Sequence, residues 1–135
     1  MGLRLSIREA QALGIKIPER EAKFHNRPGR LDGVGFDSQM ELRRYAYLVH
    51  VEMAKQLEKL VVHPKFPLVV DGIEVGSYEA DFSYTDARGQ IVEDVKGMVL
   101  PLYLLKRKIF LANHPGIQFM EVRQCQRRWV SQRIS

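Results

Sequence analysis

Several features that would point to common protein classes are missing from this chain of 135 residues. It has one cysteine, Cys125, and therefore no internal disulfide bond is possible. Its four histidines are scattered, and no two of them have the i, i+4 spacing of a helical zinc site. Neither glycine-rich phosphate loop, GxGxxG or GxxxxGK[ST], is present. These absences argue against a disulfide scaffold, a zinc protein and a nucleotide-binding domain of the common kinds.

Long apolar segments are also missing. No run of apolar residues approaches the roughly 20 that are needed to cross a bilayer, and the N-terminus alternates charged and apolar residues instead of forming the core of a signal peptide. Hydrophobic residues make up 45% of the chain and charged residues 27%, a balance that is typical of a soluble globular domain. We expect a single cytoplasmic domain with no membrane partner.

Positive charge is what the chain does have, and it lies mainly at the two ends. The net charge is +5 and the pI is about 9.5. Residues 1–30 carry seven Lys/Arg against three acids, residues 123–135 carry four Arg and no acid, and a basic run occupies residues 106–108. Such segments favour a polyanionic partner, because basic groups near phosphates release condensed counterions. The alternative is that they are ordinary solvated faces and irregular termini.

Capping boxes mark the starts of two predicted helices. Ser6 to Glu9 opens a short helix over about 6–13, and residues 15–33 then form a basic, irregular arm rich in proline and glycine. Ser38 to Glu41 opens a long helix that should end at His63-Pro64. Its apolar face follows helical spacing and consists of Leu42, Ala46, Val49, Met53, Leu57 and Leu60.

The rest of the chain alternates between strand and helix patterns. Three strands in a meander are predicted over residues 65–70, 73–85 and 90–96. A helix begins at Pro101, with Leu102, Leu105, Ile109 and Ala112 as its apolar face, and a last strand over 117–123 should pair parallel to the third. The predicted fold is α/β with a central mixed sheet, in the order helix, three-strand meander, helix, strand. We divide the chain into a basic arm (1–32), a core (33–123) and a basic tail (124–135).

Strand alternation predicts that carboxylates meet across the second and third strands. Asp81 should lie opposite the face shared by Tyr78, Ala80, Phe82 and Tyr84, while Asp94 and Lys96 share one face of the next strand. Because the two strands form a hairpin, Asp81 and Asp94 can approach each other. Two adjacent carboxylates repel, and a divalent cation such as Mg²⁺ removes that repulsion.

Each of these residues also has a simpler explanation. The Asp94-Val95-Lys96 segment could be an exposed ion pair on a strand, and Asp81 could be a solvated residue beside a turn. Glu41 is fully explained as the N3 residue of a capping box. The spacing alone leaves these alternatives open.

A resemblance adds to this interpretation. The predicted order of elements is helix, three strands, helix, strand, with an acid on the second strand and Asp/Glu-x-Lys on the third. This pattern resembles the PD-(D/E)XK nuclease superfamily. More closely, residues 33–123 resemble a family of small phage and prophage proteins within it that are similar to Holliday junction resolvases. The stretches that carry the resemblance are Phe36-Asp37-Ser38 with Glu41, His63-Pro64-Lys65-Phe66, Tyr78 to Phe82, Glu93 to Gly97, and Tyr103 with Lys106-Arg107-Lys108.

The resemblance implies a restriction-endonuclease-like core and a metal-dependent endonuclease that hydrolyses DNA, acting on branched or recombination intermediates as a homodimer inside a bacterial host cell. It implies catalytic roles for Glu41, Asp81, Asp94 and Lys96, and a Mg²⁺ site, with Mn²⁺ as a substitute, formed by Glu41, Asp81, Asp94 and Val95. The expected DNA contacts are Lys106, Lys65, Arg27, Arg30, Arg127 and Arg128. The alternative is a non-catalytic DNA-binding module that kept the fold.

One position departs from the superfamily pattern. The residue before x-Lys is often Glu, and here it is Asp94. Glu93 is one position earlier, and alternation points it away from Lys96 unless a β-bulge re-aims it. We therefore assign Asp94 to the site and keep Glu93 as the second choice.

Overall fold

The computed structural model describes residues 29–31, 33–36, 38–96 and 99–135. Within them are two helices and nine strands. The helices are α1 (Gln39–Met53) and α2 (Pro101–Asn113). The strands are β1 (Gly29–Leu31), β2 (Val34–Phe36), β3 (Leu57–Val62), β4 (Lys65–Val70), β5 (Ile73–Glu79), β6 (Phe82–Asp86), β7 (Gly89–Val95), β8 (Gln118–Cys125) and β9 (Arg128–Ile134).

A five-stranded mixed sheet forms the centre of the unit that runs from Val49 to Ser135. Its strand order is β3-β6-β7-β8-β9. The β7–β8 pair is parallel, as the crossover through α2 predicts, and the other pairs are antiparallel. β4 and β5 form a separate antiparallel hairpin on which α2 packs. The α/β class and the mixed sheet are therefore confirmed.

The first helix is shorter than its apolar spacing predicts. α1 ends at Met53, and Leu57 and Leu60 belong to β3 instead. The helix ends in a Schellman motif, in which the Lys55 N–H donates to Glu52 and the Gln56 N–H to Val51. Lys55 has a positive φ of 60° there, the conformation usually taken by glycine. Because no glycine marks this end, the sequence pattern ran on too far.

The predicted strand over 73–85 is two strands, so the core holds more than a three-strand meander. β5 ends at Glu79 and pairs with β4, whereas β6 begins at Phe82 and pairs with β3 and β7. The backbone changes direction between these two strands. The Ala80 N–H donates to the Pro64 carbonyl at 3.0 Å, and the Asp81 N–H donates to the Glu93 carbonyl at 3.2 Å. This break resets the alternation of the side chains. Tyr78 and Ala80 therefore do not share a face with Phe82 and Tyr84, contrary to our prediction.

The C-terminal segment is part of the sheet. The strand predicted to end at 123 extends to Cys125, and β9 pairs with it along its whole length. The turn between them is made by Gln126 and Arg127, whose φ angles are 49° and 66°. Two left-handed residues in a row make the tight turn that suits a hairpin, but the usual Asn-Gly signal is missing. The sequence therefore did not reveal this hairpin.

The core on one face of the sheet is aromatic. Tyr103 and Phe110 of α2 pack there with Tyr78 and Phe119, together with Leu68, Ala80 and Val92. The apolar face predicted for this helix was wrong at Leu102 and Leu105, which are 38% and 55% exposed, whereas Ile109 packs against this core as predicted. The buried stripe is the one formed by the larger aromatic side chains. Asn113 closes the helix onto β4, exchanging two hydrogen bonds with the backbone of Val69.

The described residues up to Leu48 belong to the other unit. In it β1 and β2 make a small hairpin, with Gly33 at φ 77° in the turn, and the ring of Phe36 packs on Tyr45 at 5.1 Å. The predicted helix over 6–13 and most of the basic arm lie outside the described residues. Neither of the two helices that the structure describes is long and apolar enough to span a membrane.

Candidate active site on the central sheet

Asp81 and Asp94 lie side by side at one end of the β6–β7 hairpin and hold each other through backbone hydrogen bonds. The Asp81 N–H donates to Asp94 Oδ1 at 3.0 Å, and the Val95 N–H donates to Asp81 Oδ2 at 2.7 Å. Neither aspartate has exposed surface. The two aspartates therefore lie together as alternation predicted, and the alternative that Asp81 is a solvated residue beside a turn is wrong.

Lys96 follows on the same face and completes a buried ion pair. Its Nζ lies 3.5 Å from Asp94 Oδ2, and its side chain is only 2% exposed. Its backbone N–H donates to the Val122 carbonyl of β8, which fixes the end of β7. Asp94 Oδ2 also accepts a hydrogen bond from the Tyr78 hydroxyl. The Asp94-Val95-Lys96 segment is thus not an exposed ion pair.

Tyr103, in the first turn of α2, lies against the lysine. The Lys96 Nζ is 3.9 Å from the centre of the tyrosine ring, within the range of a cation–π interaction. Burial raises the pKa of the Tyr103 hydroxyl well above its usual range, and the negative charge of Asp94 adds to the rise. Tyr103 is therefore a neutral phenol at physiological pH.

Glu121 of β8 is the third buried acid on this face, because it is the register partner of Asp94. Its Oε2 accepts hydrogen bonds from Tyr103 at 3.2 Å and from Arg107 at 2.7 Å. Its Oε1 accepts one from Arg123 at 2.7 Å. Two arginines thus compensate the charge of Glu121, which leaves it as a structural anchor instead of a metal ligand.

Glu93, the second choice for the acid before x-Lys, lies on the opposite face of β7. It is 1% exposed, and its Oε2 accepts a hydrogen bond from the Tyr84 hydroxyl at 2.5 Å. The register of β7 has no bulge against β6 or β8 that would turn it round. Asp94 is therefore the acid that accompanies Asp81 and Lys96.

Glu41 lies in the first turn of α1, within the unit that ends at Leu48. The capping box is present, since the Glu41 N–H donates to Ser38 Oγ at 3.2 Å and Ser38 Oγ donates to Glu41 Oε1 at 3.3 Å. Its side chain is nevertheless buried, at 4% exposure, whereas a cap on a surface helix is usually in contact with water. A role in the site beyond the cap remains a prediction.

The predicted DNA-binding residues of α2 and β4 differ in their surroundings. Lys106 shares the stripe of Tyr103 and Phe110 as predicted, and its Nζ donates to the Ser77 carbonyl of β5 at 2.8 Å. Lys65 is exposed at the start of β4. It lies close to the candidate site in space, because the carbonyl of the neighbouring Pro64 accepts a hydrogen bond from the Ala80 N–H, next to Asp81.

The two predicted C-terminal arginines lie at the same end of the sheet as Lys96. β8 runs parallel to β7, with Val122 beside Val95, so the turn that carries Arg127 follows directly beyond that end. Arg127 and Arg128 are both exposed. Arg27 and the side chain of Arg30 lie outside the described residues.

The donor atoms on this face suit a hard divalent cation. In the described part of the chain no three His, Cys, Asp or Glu side chains are grouped to hold a metal ion, so the sheet itself offers two carboxylates, those of Asp81 and Asp94. The Val95 carbonyl points to the same side of its strand as the Val95 N–H that binds Asp81. Mg²⁺ commonly uses one or two carboxylates and completes its octahedron with water and substrate phosphate. The residues present therefore fit Mg²⁺ or Mn²⁺.

Sequence reasoning missed two contributors, Tyr78 and Glu121. Tyr78 was assigned to the wrong face because the break before Phe82 leaves no clear mark in the sequence. Glu121 did have a signal in the sequence. It lies two residues after Phe119, an apolar residue on the inward face of the same strand, and residues with that spacing share a face. A pocket lies at the far end of the same hairpin, beside Leu57 and Asp86 and away from the carboxylates.

Comparison with known proteins gives a family but no described relative. No curated protein matches the chain, and no solved structure matches it. One family model matches residues 21–132, which is well over half of the chain. The chain therefore belongs to that family, described as "Protein of unknown function (DUF1064)".

Proposed function

We propose that this protein is a metal-dependent endonuclease of the PD-(D/E)XK type that hydrolyses DNA phosphodiester bonds. The observation that carries the proposal is the buried set formed by Asp81, Asp94 and Lys96, in which the Asp94 carboxylate accepts from the Asp81 N–H and the Asp81 carboxylate accepts from the Val95 N–H. A chain that only bound DNA would have no use for two adjacent buried acids, since they repel a phosphate.

Asp81, Asp94 and the Val95 carbonyl would hold the cation, and a part for Glu41 is a separate prediction that the Glu41→Gln variant tests. The bound cation supplies charge stabilisation for the phosphate and activation of a water molecule. Lys96 places an ammonium beside Asp94, where it can orient the attacking water and stabilise negative charge on the phosphate. The Tyr78 hydroxyl holds Asp94 Oδ2 in place. Because neither aspartate is exposed, the segments that cover them must move before a phosphodiester can reach them.

The basic surface favours DNA as the substrate. Arg127 and Arg128 are exposed at the same end of the sheet as Lys96, and exposed Lys65 follows Pro64, whose carbonyl accepts the Ala80 N–H beside Asp81. Phosphate contacts of this kind carry little sequence information, so recognition should follow DNA shape. Branched recombination intermediates such as four-way junctions suit this mode, and two symmetric cuts in such a junction would need a homodimer.

The test is cleavage of labelled DNA by the full chain. Linear duplex, single strand, flap and four-way junction are incubated with Mg²⁺, with Mn²⁺ or with EDTA. We expect cleavage with either cation, strongest on the junction, and none in EDTA. Undiminished cleavage in EDTA would exclude the metal mechanism, and tight DNA binding with no cleavage of any substrate would favour a non-catalytic DNA-binding module.

A further inference from the structure

The ion pair with Asp94 does not by itself explain how the Lys96 ammonium is held in one direction. Its separation of 3.5 Å from Asp94 is longer than the roughly 2.7–2.9 Å of a short charge-assisted hydrogen bond. A lysine side chain also has several rotatable bonds and a compact, mobile charge. The ion pair alone therefore leaves the direction of the ammonium loosely defined.

The ring of Tyr103 supplies a second constraint on the same atom. The ammonium lies 3.9 Å from the ring centre, and the negative face of an aromatic ring attracts a cation most strongly where water is excluded. Tyr103 is 1% exposed, and the contact is therefore dry. Lys96 is thus fixed between a carboxylate on its own strand and a ring on α2.

Tyr103 is itself held at both ends. Its backbone belongs to the first turn of α2, and its hydroxyl donates to Glu121 Oε2. Glu121 is fixed in turn by Arg107 and Arg123. The guanidinium of Arg107 also lies 5.2 Å from the ring centre of Tyr103. Glu121 is the register partner of Asp94, so these contacts reach the same stretch of sheet as the Asp94–Lys96 ion pair.

We propose that Tyr103 is a positioning residue that holds the Lys96 ammonium against Asp94 through the face of its ring, with Glu121 fixing the ring from its hydroxyl end. This rests on the proposed nuclease function for its catalytic consequence. Tyr103 touches neither substrate nor metal in this account. Its ring, and not its hydroxyl, carries the main effect.

Three variants separate the ring from the hydroxyl and from the packing. Tyr103→Phe keeps the ring and loses the hydrogen bond to Glu121, whereas Tyr103→Leu loses both. Phe110→Leu is the matched control, because Phe110 is equally buried in the same helix and its ring packs on Phe66, Tyr78 and Phe119. All are assayed below their unfolding temperatures at saturating DNA.

We expect kcat to fall by about tenfold or more in Tyr103→Leu, with KM unchanged and the pH profile altered. Tyr103→Phe should stay within about threefold of the parent protein, because the ring contact is retained. Phe110→Leu should lose thermal stability and keep its kcat. Equal losses in Tyr103→Phe and Tyr103→Leu would overturn the role of the ring, and an unchanged kcat in Tyr103→Leu would overturn the proposal altogether.

A measurement that does not depend on activity keeps the two proposals apart. Protons over the face of an aromatic ring have upfield NMR shifts, so the Lys96 Hε signals, assigned by their loss in Lys96→Arg, should be shifted upfield. The shift should persist in Tyr103→Phe and Phe110→Leu and vanish in Tyr103→Leu. Normal Hε shifts in the parent protein would contradict the positioning role even in an active nuclease. If the parent protein cuts no DNA, the nuclease proposal fails, and the NMR result alone decides whether Tyr103 holds Lys96.

Discussion

One hairpin of this protein carries the same charge pattern twice, with opposite consequences. At the β6–β7 turn, Asp86 and Arg88 are two residues apart, and at the other end of β7, Asp94 and Lys96 have the same spacing. The turn pair is closer, with Arg88 Nη2 at 2.6 Å from Asp86 Oδ2, but the side chain of Arg88 is 47% exposed. The other pair is 3.5 Å apart and almost completely buried.

Burial and the neighbouring polar groups, more than the distance between the charges, distinguish a surface ion pair from a candidate site. Arg88 closes a local turn by donating both backbone and side-chain hydrogen bonds to Asp86, an arrangement that contributes little to stability. Asp94 meets a second carboxylate, a tyrosine hydroxyl and a buried ammonium. Burying such charges costs several kcal/mol of desolvation free energy. An arrangement with that cost is expected where the buried charges take part in chemistry.

The largest expected effect comes from neutralising the buried acid. Asp94→Asn removes a proposed metal ligand while keeping the size of the side chain, and we expect the cleavage rate to fall by about a thousandfold or more. Asp81→Asn should behave alike. Asp86→Asn is the matched control and should cut at the parent rate. Single-turnover cleavage of a four-way junction in Mg²⁺ measures all three, and comparable rates for Asp94→Asn and Asp86→Asn would break the distinction between the two pairs.

The basic partners of the two acids should differ in the same way. Lys96→Met keeps the apolar stem and removes the ammonium, and we expect the rate to fall by about a hundredfold or more. DNA affinity should change little, since one phosphate contact contributes only about 0.9 to the slope of log affinity against log salt. Arg88→Met should leave the rate unchanged. A loss of affinity as large as the loss of rate would make Lys96 a DNA-binding residue instead.

Glu41 gives the next effect and has two possible roles. Glutamine still serves in a capping box but is a poor metal ligand, so Glu41→Gln should be folded, should keep its stability to within about 0.5 kcal/mol, and should be nearly inactive. Ser38→Ala removes the cap and keeps the acid, and we expect it to lose about 1 kcal/mol of stability with cleavage retained. Urea unfolding and cleavage assays are compared. An active Glu41→Gln protein would leave only the capping role.

The smallest effect belongs to the turn pair and depends on pH. Partial burial raises the pKa of Asp86, but the hydrogen bonds and the positive charge of Arg88 outweigh it, and the net shift is downward. A lowered pKa in the folded state means that ionised Asp86 stabilises the fold above its unfolded pKa of about 3.9, and that this is lost as pH falls through the folded pKa. Asp86→Asn should therefore cost about 0.5 kcal/mol at pH 7 and nothing at pH 2. A cost that persists at pH 2 in urea unfolding would contradict the assignment.

Much of the fold followed from local pattern, and the errors have one physical origin. The parallel β7–β8 pairing, the Asp81–Asp94 contact and the Ser38 cap came from alternation, crossover length and capping signals. The end of α1 at Lys55 and the turn at Gln126 and Arg127 were missed because residues other than glycine adopt positive φ there. Tertiary packing stabilises these conformations, and a pattern read along the chain cannot register it.

The candidate site shows the same division. Its two acids and lysine lie on, or directly next to, the two strands of one hairpin, so alternation could group them. Tyr78, Tyr103 and Glu121 join the site only because β5, α2 and β8 converge on one face of the sheet. Contacts of this kind depend on register between elements far apart in sequence.

Thermal unfolding with and without Mn²⁺ tests most directly whether Asp81 and Asp94 hold a cation, because it needs neither substrate nor turnover. A cation at about 100 times its Kd stabilises the folded state by about 2.7 kcal/mol. We predict that saturating Mn²⁺ raises the Tm of the parent protein and of Asp86→Asn equally. It should leave the Tm of Asp81→Asn and Asp94→Asn unchanged. An equal rise in all four proteins, or a rise that Asp86→Asn alone abolishes, would contradict it.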